Sequence, residues 1–199
     1  EQKMSNTGLF TPSDINELMQ YQQWPQFGQL EHIQTVQGSA MTYVDITDIK
    51  QLDYDIHMLT YFVDKTNDSG GIDYPGFQLG ELSDGTSTIE TSTVYRYAAE
   101  WFSVDGGGNE AKSTGMSTMS IGIGSSHTMK FGGLTYFYDL GNPSKYTFYS
   151  GLLATAETSG TVFNAFYSGV LPQTSEVDTI RFNGVSTITS ATFRLYGIR

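Results

Sequence analysis

Cysteine is absent from this 199-residue chain, so no disulfide staples it and no thiolate can hold a metal or attack a substrate. The redox compartment is left open by that absence. Charge is also scarce: Asp, Glu, Lys and Arg make up 16 % of the residues, and the balance is acidic, 21 against 10, for a net charge of −11. No cluster of Lys or Arg stands out, so the positive footprint that displaces counterions from phosphates is missing. Nucleic acid and an anionic membrane surface are therefore poor partners. No apolar run is long enough to span a bilayer as a helix. No secretory-signal pattern opens the chain, which begins at Glu1 and not at Met, so processing stays open. Proline occurs only 5 times and almost never inside strand-like runs, where it would remove a ladder donor.

What the chain does have is Gly (22), Tyr (13) and Phe (12), with frequent Ser and Thr. Turn formers, aromatics and β-branched residues together favour a pleated, turn-rich architecture. The aromatic content argues against disorder, since it buries enough surface to offset the entropy of ordering. The length suits one domain, or one domain plus an appendage, and the pattern along the chain divides it as residues 1–30 and 31–199. The acidity favours solubility and repulsion between copies not meant to touch.

The appendage reads as a short helical arm. In TPSDINELMQYQQWP (Thr11 to Pro25), Thr11 is a candidate N-cap, Pro12 fits the first helical position and Asp14 complements the helix dipole. Ile15, Leu18 and Met19 share one face, and Trp24-Pro25 ends the run. A helix this short is unstable alone in water and must dock on something.

From His32 the period becomes two. HIQTV, MTYVDITDI, YDIHMLTYFV, TVYRYAAEWF, LTYFYDL, KYTFYSGLLAT, TVFNAFYSG, VDTIRFN and ATFRLYGI read as strands, separated by Gly-, Asn- and Asp-rich turns. The expectation is an all-β, antiparallel, jelly-roll-like β-sandwich. The segment DGGGNEAKSTG (Asp105 to Gly115) reads as its most flexible loop. Two runs are apolar on both faces. In LTYFYDL, Leu134, Tyr136, Tyr138 and Leu140 oppose Phe137, and in YDIHMLTYFV, Leu59, Tyr61 and Val63 oppose Met58 and Phe62. Such strands are covered on both sides, by loops or by another chain.

Chemistry is hard to place. His32, His57 and His127 are scattered, with no pair at metal-ligand spacing, and His57 reads as a hydrogen-bonded structural residue. GIGSSH (Gly122 to His127) places Ser125 and Ser126 beside a His, but neighbouring residues in an extended chain point apart. DKTNDSGG (Asp64 to Gly71) offers Asp64, Asn67 and Asp68 without the spacing or distal Glu of a calcium loop. Glu81, Asp84, Glu90 and Glu100 single out no carboxylate pair for glycoside hydrolysis. No enzyme and no cofactor are expected. Tyr95, Tyr97 and Trp101 alternate along VYRYAAEW and form either a core row or a platform for stacking glycans.

The C-terminal stretch VDTIRFNGVSTITSATFRLYGIR resembles a group of small bacteriophage virion proteins. The likeness lies in an I-x-F strand core (Ile180 and Phe182), a polar turn, and a closing strand with Phe193, Leu195, Tyr196, Gly197, Ile198 and a basic Arg199. LEHIQTV, VDITDI and LDYDIHMLTYFV upstream resemble the opening of the same group, so the likeness runs from about His32 to Arg199 and leaves out the arm. It implies a structural part of a phage particle, either a tail fibre or fibre-associated protein or a capsid decoration. The location would be the virion and the state a homo-oligomer, often a homotrimer, in contact with other virion proteins. On this expectation the arm anchors the chain through Leu9, Phe10, Ile15, Leu18, Met19, Trp24 and Phe27. The closing strand completes a sheet, with Phe193, Leu195 and Gly197 on one face and Tyr196 and Ile198 on the other. The alternative is a module that binds a host glycan or receptor.

Overall fold

The computed structural model describes residues 30–66, 74–124 and 128–198. The segment expected to form a helical arm, with the seven residues expected to anchor it, lies outside these, as do Asn67, Asp68, Ser125, Ser126, His127 and Arg199.

Among the described residues twelve strands, all paired antiparallel, account for the fold, and there is no helix. They are β1 (Leu30–Gly38), β2 (Met41–Ile46), β3 (Ile56–Lys65), β4 (Gly76–Ser83), β5 (Thr86–Ile89) and β6 (Tyr95–Ser103), then β7 (Gly108–Met116), β8 (Met119–Ser120), β9 (Met129–Tyr138), β10 (Tyr146–Glu157), β11 (Val162–Thr174) and β12 (Glu176–Ile198). The all-β class is therefore as the alternation predicts.

The 23-residue β12 organises everything else. VDTIRFN and ATFRLYGI read as two strands across a turn, yet they are two halves of this one bent strand. The bend falls at Val185, which has a φ of 66° and whose N–H donates to Asn183 Oδ1 at 2.9 Å. On one side, β2 pairs with the first half and β1 with the second, so residues 30–46 run along β12 with a break at Gly38 to Ala40. Gly38-Ser39 is thus a kink between collinear strands and not a hairpin. On the other side, β4 takes the first half and β3 the second.

Folding β12 in this way stacks two layers. The smaller one is β2, the first half of β12, β4 and β5, with β8 on β4. The larger runs eight strands wide: β1, the second half of β12, β3, β9, β10, β11, β6 and β7. Phe77 and Phe182 from the smaller layer meet Tyr61, Phe137 and Phe193 from the larger. The Phe77–Phe137 and Phe182–Phe193 centroids are both 5.4 Å apart, and the Tyr61 and Phe182 rings stack at 6.4 Å. Ring pairs at these separations add about 0.5–1.5 kcal/mol each beyond the area they bury.

Under β10, β11 and β6 the core continues with Tyr149, Leu153, Ala165 and Tyr167, closed by Met119, Ile121 and Ile123. Tyr149 donates to the Ser120 carbonyl at 3.1 Å. Tyr61 and Tyr167 share a hydrogen bond of 2.8 Å, and Tyr167 shares another with Thr135 at 2.6 Å. The Tyr167 ring can lie there because Gly151 stands beneath it: a Cβ on Gly151 would come within 2.4 Å of the Tyr167 hydroxyl.

Two local expectations change. Asp105 to Gly115 is mostly strand, because β7 pairs along β6 from Phe102↔Gly108 to Tyr95↔Met116 and pairing overrides its weak propensity. A register shift between Val177 and Thr179 breaks the simple alternation of VDTIRFN, so that Val177, Thr179, Ile180 and Phe182 are all buried.

Candidate interaction surface

The larger layer has one face in the core and one turned outward. Register places the outward side chains in rows across the strands. From β12 to β6, the first row runs Ile198, Ile56, Tyr138, Phe148, Val170, Arg96. The second runs Tyr196, Met58, Tyr136, Ser150, Ser168, Ala98 and reaches Lys112 on β7. The third is Arg194, Thr60, Leu134, Leu152, Phe166, Glu100, ending at Glu110. The fourth contains Phe62, Ala154 and Phe102.

A solvated sheet face normally carries polar residues at these positions, but this one is largely apolar. Phe62, Phe102, Phe148, Leu152 and Phe166 are 52 %, 46 %, 50 %, 45 % and 57 % exposed. Together with the half-buried Tyr136, Tyr138, Met58 and Leu134 between them, they form an apolar area that runs across five strands and is unlike the singly scattered apolar residues of an ordinary surface. Where Ala98, Ser150 and Ser168 replace bulky residues the face dips. Two adjoining hollows, of about 610 and 750 Å³, lie against Tyr136, Leu152 and Phe166 in one case and Phe148 and Val170 in the other.

The electrostatics of this face differ from those of the chain. Arg96, Lys112, Lys130 and Arg194 stand outward against Asp64, Glu100 and Glu110, with Lys130 and Asp64 paired at 2.8 Å. Among the described residues, these four basic and three acidic side chains stand on this face, so it is close to neutral on a chain of net charge −11.

The closing-strand residues divide between the faces. Ile180, Phe182, Phe193 and Leu195 are buried, Gly197 packs beneath the Tyr54 ring, and Tyr196 and Ile198 stand on the outward face. His32 meets Tyr196 edge-on at 5.4 Å. Tyr95, Tyr97 and Trp101 point the other way, toward the core. Tyr95 is fully buried, accepts from the Leu79 N–H at 2.9 Å and donates to the Glu90 carbonyl at 3.1 Å, while Tyr97 and Trp101 are partly buried against the same core. On β6 they pack as a row against the core.

The exposed aromatics were legible only in part. Phe62 and Met58 are flagged by their two-faced strand. Phe148, Leu152 and Phe166 carry the same signal in KYTFYSGLLAT and TVFNAFYSG, where bulky residues occupy both parities.

His57 lies in the core, with its Nε2–H donating to the Ile49 carbonyl at 3.0 Å and Nδ1 unpartnered; burial pulls its pKa below the usual 6.5. Among the described residues, no three His, Cys, Asp or Glu side chains gather as metal ligands. Protein-family models and curated proteins give no match to this chain.

Proposed function

We propose that this chain is a non-enzymatic structural protein of a bacteriophage particle, a tail-fibre or fibre-associated protein or a capsid decoration, working as a homo-oligomer. Its two-layer fold is read, with the resemblance at the C-terminus, as a jelly-roll-like sandwich. The segment Leu9 to Phe27 is read as a short helical arm that docks on other virion proteins. The observation that carries the reading is the outward face of the larger layer, which is apolar over several rows and covered by nothing among the described residues. A face of this kind gains free energy when another surface removes it from water, at about 25 cal/mol per Å². A surface that gains by being covered is what a structural component needs.

Two measurements test the reading. Light scattering on the full chain at micromolar concentration gives more than one copy per particle, and a strict monomer refutes the assembly. Incubating phage particles that lack the protein with the full chain restores it to them, whereas a chain without Glu1 to Gln29 stays in solution although its circular dichroism remains that of a β protein. If the shortened chain joins the particles normally, the anchoring role of the arm is wrong.

A further inference from the structure

We infer that the outward face of the larger layer is where two copies of this chain meet, face to face about a two-fold axis, with β10 at the centre of the contact. The inference rests on the homo-oligomeric reading above and names the surface and symmetry that produce it.

Charge selects the occupant. Two molecules of net charge −11 repel one another over most of their surface. They can approach where the charge is locally balanced, and the face bearing Arg96, Lys112, Lys130 and Arg194 against Asp64, Glu100 and Glu110 is such a place. A basic or acidic partner gains little there, whereas a second near-neutral apolar face loses nothing.

Area points the same way. A stable association removes about 800 Å² from each partner. Exposed aromatic and aliphatic rows run across β3, β9, β10, β11 and β6, about 20 Å at the usual strand spacing, a breadth suited to such a contact. A short peptide would leave part of those rows wet.

Shape completes the argument. Ser150 and Ser168 form low ground in the second row, and Leu152 and Phe166 stand beside them on the same strands in the third. A face that holds both the knobs and the dips can interlock with its own copy. Contact between identical patches is two-fold, whereas a three-fold ring requires two different surfaces to meet. The homotrimer implied by the resemblance is therefore not the arrangement this face builds by itself.

At the centre of such a contact, Ser150 and Leu152 of one copy lie against the same pair from the other. Sedimentation equilibrium on the full chain is expected to give twice the chain mass. Leu152→Asp places two carboxylates within the contact and raises the dissociation constant about a hundredfold or more, because a buried unpaired charge is severely penalised. Leu52→Asp makes the same chemical change on a turn residue that is 73 % exposed and belongs to none of the four rows, and it leaves the dimer intact. The cysteine-free sequence permits a second test that does not depend on how well Leu152→Asp folds. Ser150→Cys and Leu152→Cys, singly and together, yield a covalent dimer on mild oxidation, and Leu52→Cys does not.

A monomeric wild-type chain overturns both this inference and the structural reading. An oligomer whose mass is unchanged by Leu152→Asp, and which none of the Ser150 and Leu152 cysteines cross-links, overturns the inference and leaves the reading standing. A trimer, or a soluble glycan that Leu152→Asp prevents from binding to a monomeric wild type, overturns it as well.

Discussion

Gly197 in the closing strand offers a perturbation whose size can be worked from the structure. It sits opposite His57 of β3 and carries the Tyr54 ring flat above it. A Cβ built there lies 2.4, 2.4 and 2.5 Å from Cδ1, Cγ and Cδ2 of that ring, where ordinary contact begins at 3.4 Å. Gly197→Ala therefore drives a methyl about 1 Å into three ring atoms, and the ring has little room to retreat because Tyr54 is 5 % exposed and edge-on to His57 at 5.8 Å. Overpacking of this kind costs about 1–3 kcal/mol. Tyr54→Ala alone empties the space and costs about 3–5 kcal/mol. In the double variant the methyl occupies the vacated space, and Ala is better than Gly in a strand interior by about 0.5–1 kcal/mol. The pair should then cost about 2 kcal/mol less than the sum of the singles. Urea denaturation followed by circular dichroism, at one protein concentration throughout, measures this coupling. Additivity within about 0.5 kcal/mol would show that Tyr54 does not rest on Gly197, and the placement of the closing strand would fall with it.

Other consequences follow from the buried polar groups and the bend. Burial holds His57 neutral and its pKa below 6.5, so the unfolded chain binds the extra proton. The stability from this residue is complete above pH 6.5 and is lost as pH falls through the lower folded value. Urea midpoints from pH 7.5 down to 5.5 should decline in the wild type and less steeply in His57→Gln, and equal slopes would count against a neutral buried imidazole. At the alkaline end, desolvation raises Tyr61 and Tyr149 well above 10 and pushes Tyr167 up to about 12. A raised tyrosine pKa protects the fold below pH 10 and loses that contribution as pH climbs. Ionisation of these buried tyrosines and loss of structure should therefore coincide, and a tyrosinate at Tyr61, Tyr149 or Tyr167 in a still-folded chain, assigned by comparing absorbance with the single Tyr→Phe variants, would contradict the buried network. Val185 carries a β-branched side chain at a φ of 66° while 47 % exposed, so Val185→Gly should raise stability by about 1 kcal/mol, and a loss would place the strain elsewhere. Phe182→Ala, in contrast, should cost about 3–5 kcal/mol by opening a cavity among Tyr61, Phe77, Phe131 and Phe193.

Strand existence was readable wherever aromatic and β-branched residues run together between turn signals. HIQTV, YDIHMLTYFV, LTYFYDL and KYTFYSGLLAT all lie within or across observed strands, because the preference of such residues for the extended pleat is local. β4, β5, β7 and β8 escape that reading. GFQLGELS is buried on both faces at its start, and GNEAKSTGM has the composition of a loop, so neither alternates. They are strands because neighbours supply the ladder. The unity of β12 was hidden for a related reason: NGVS has turn chemistry, and a bend within one strand looks locally like a turn between two.

The amino-acid order alone determined that this is an acidic, cysteine-free, antiparallel all-β chain with two-faced apolar strands, since composition and parity act over a few residues. Which of the two faces enters the core was decided only in three dimensions, by the bend in β12 that lays Phe77 and Phe182 over Tyr61, Phe137 and Phe193. The same bend turns Tyr95, Tyr97 and Trp101 inward and leaves Phe148, Leu152 and Phe166 outside. Parity makes the two faces of a strand distinct, but only the packing of one layer on another chooses the side from which water is excluded.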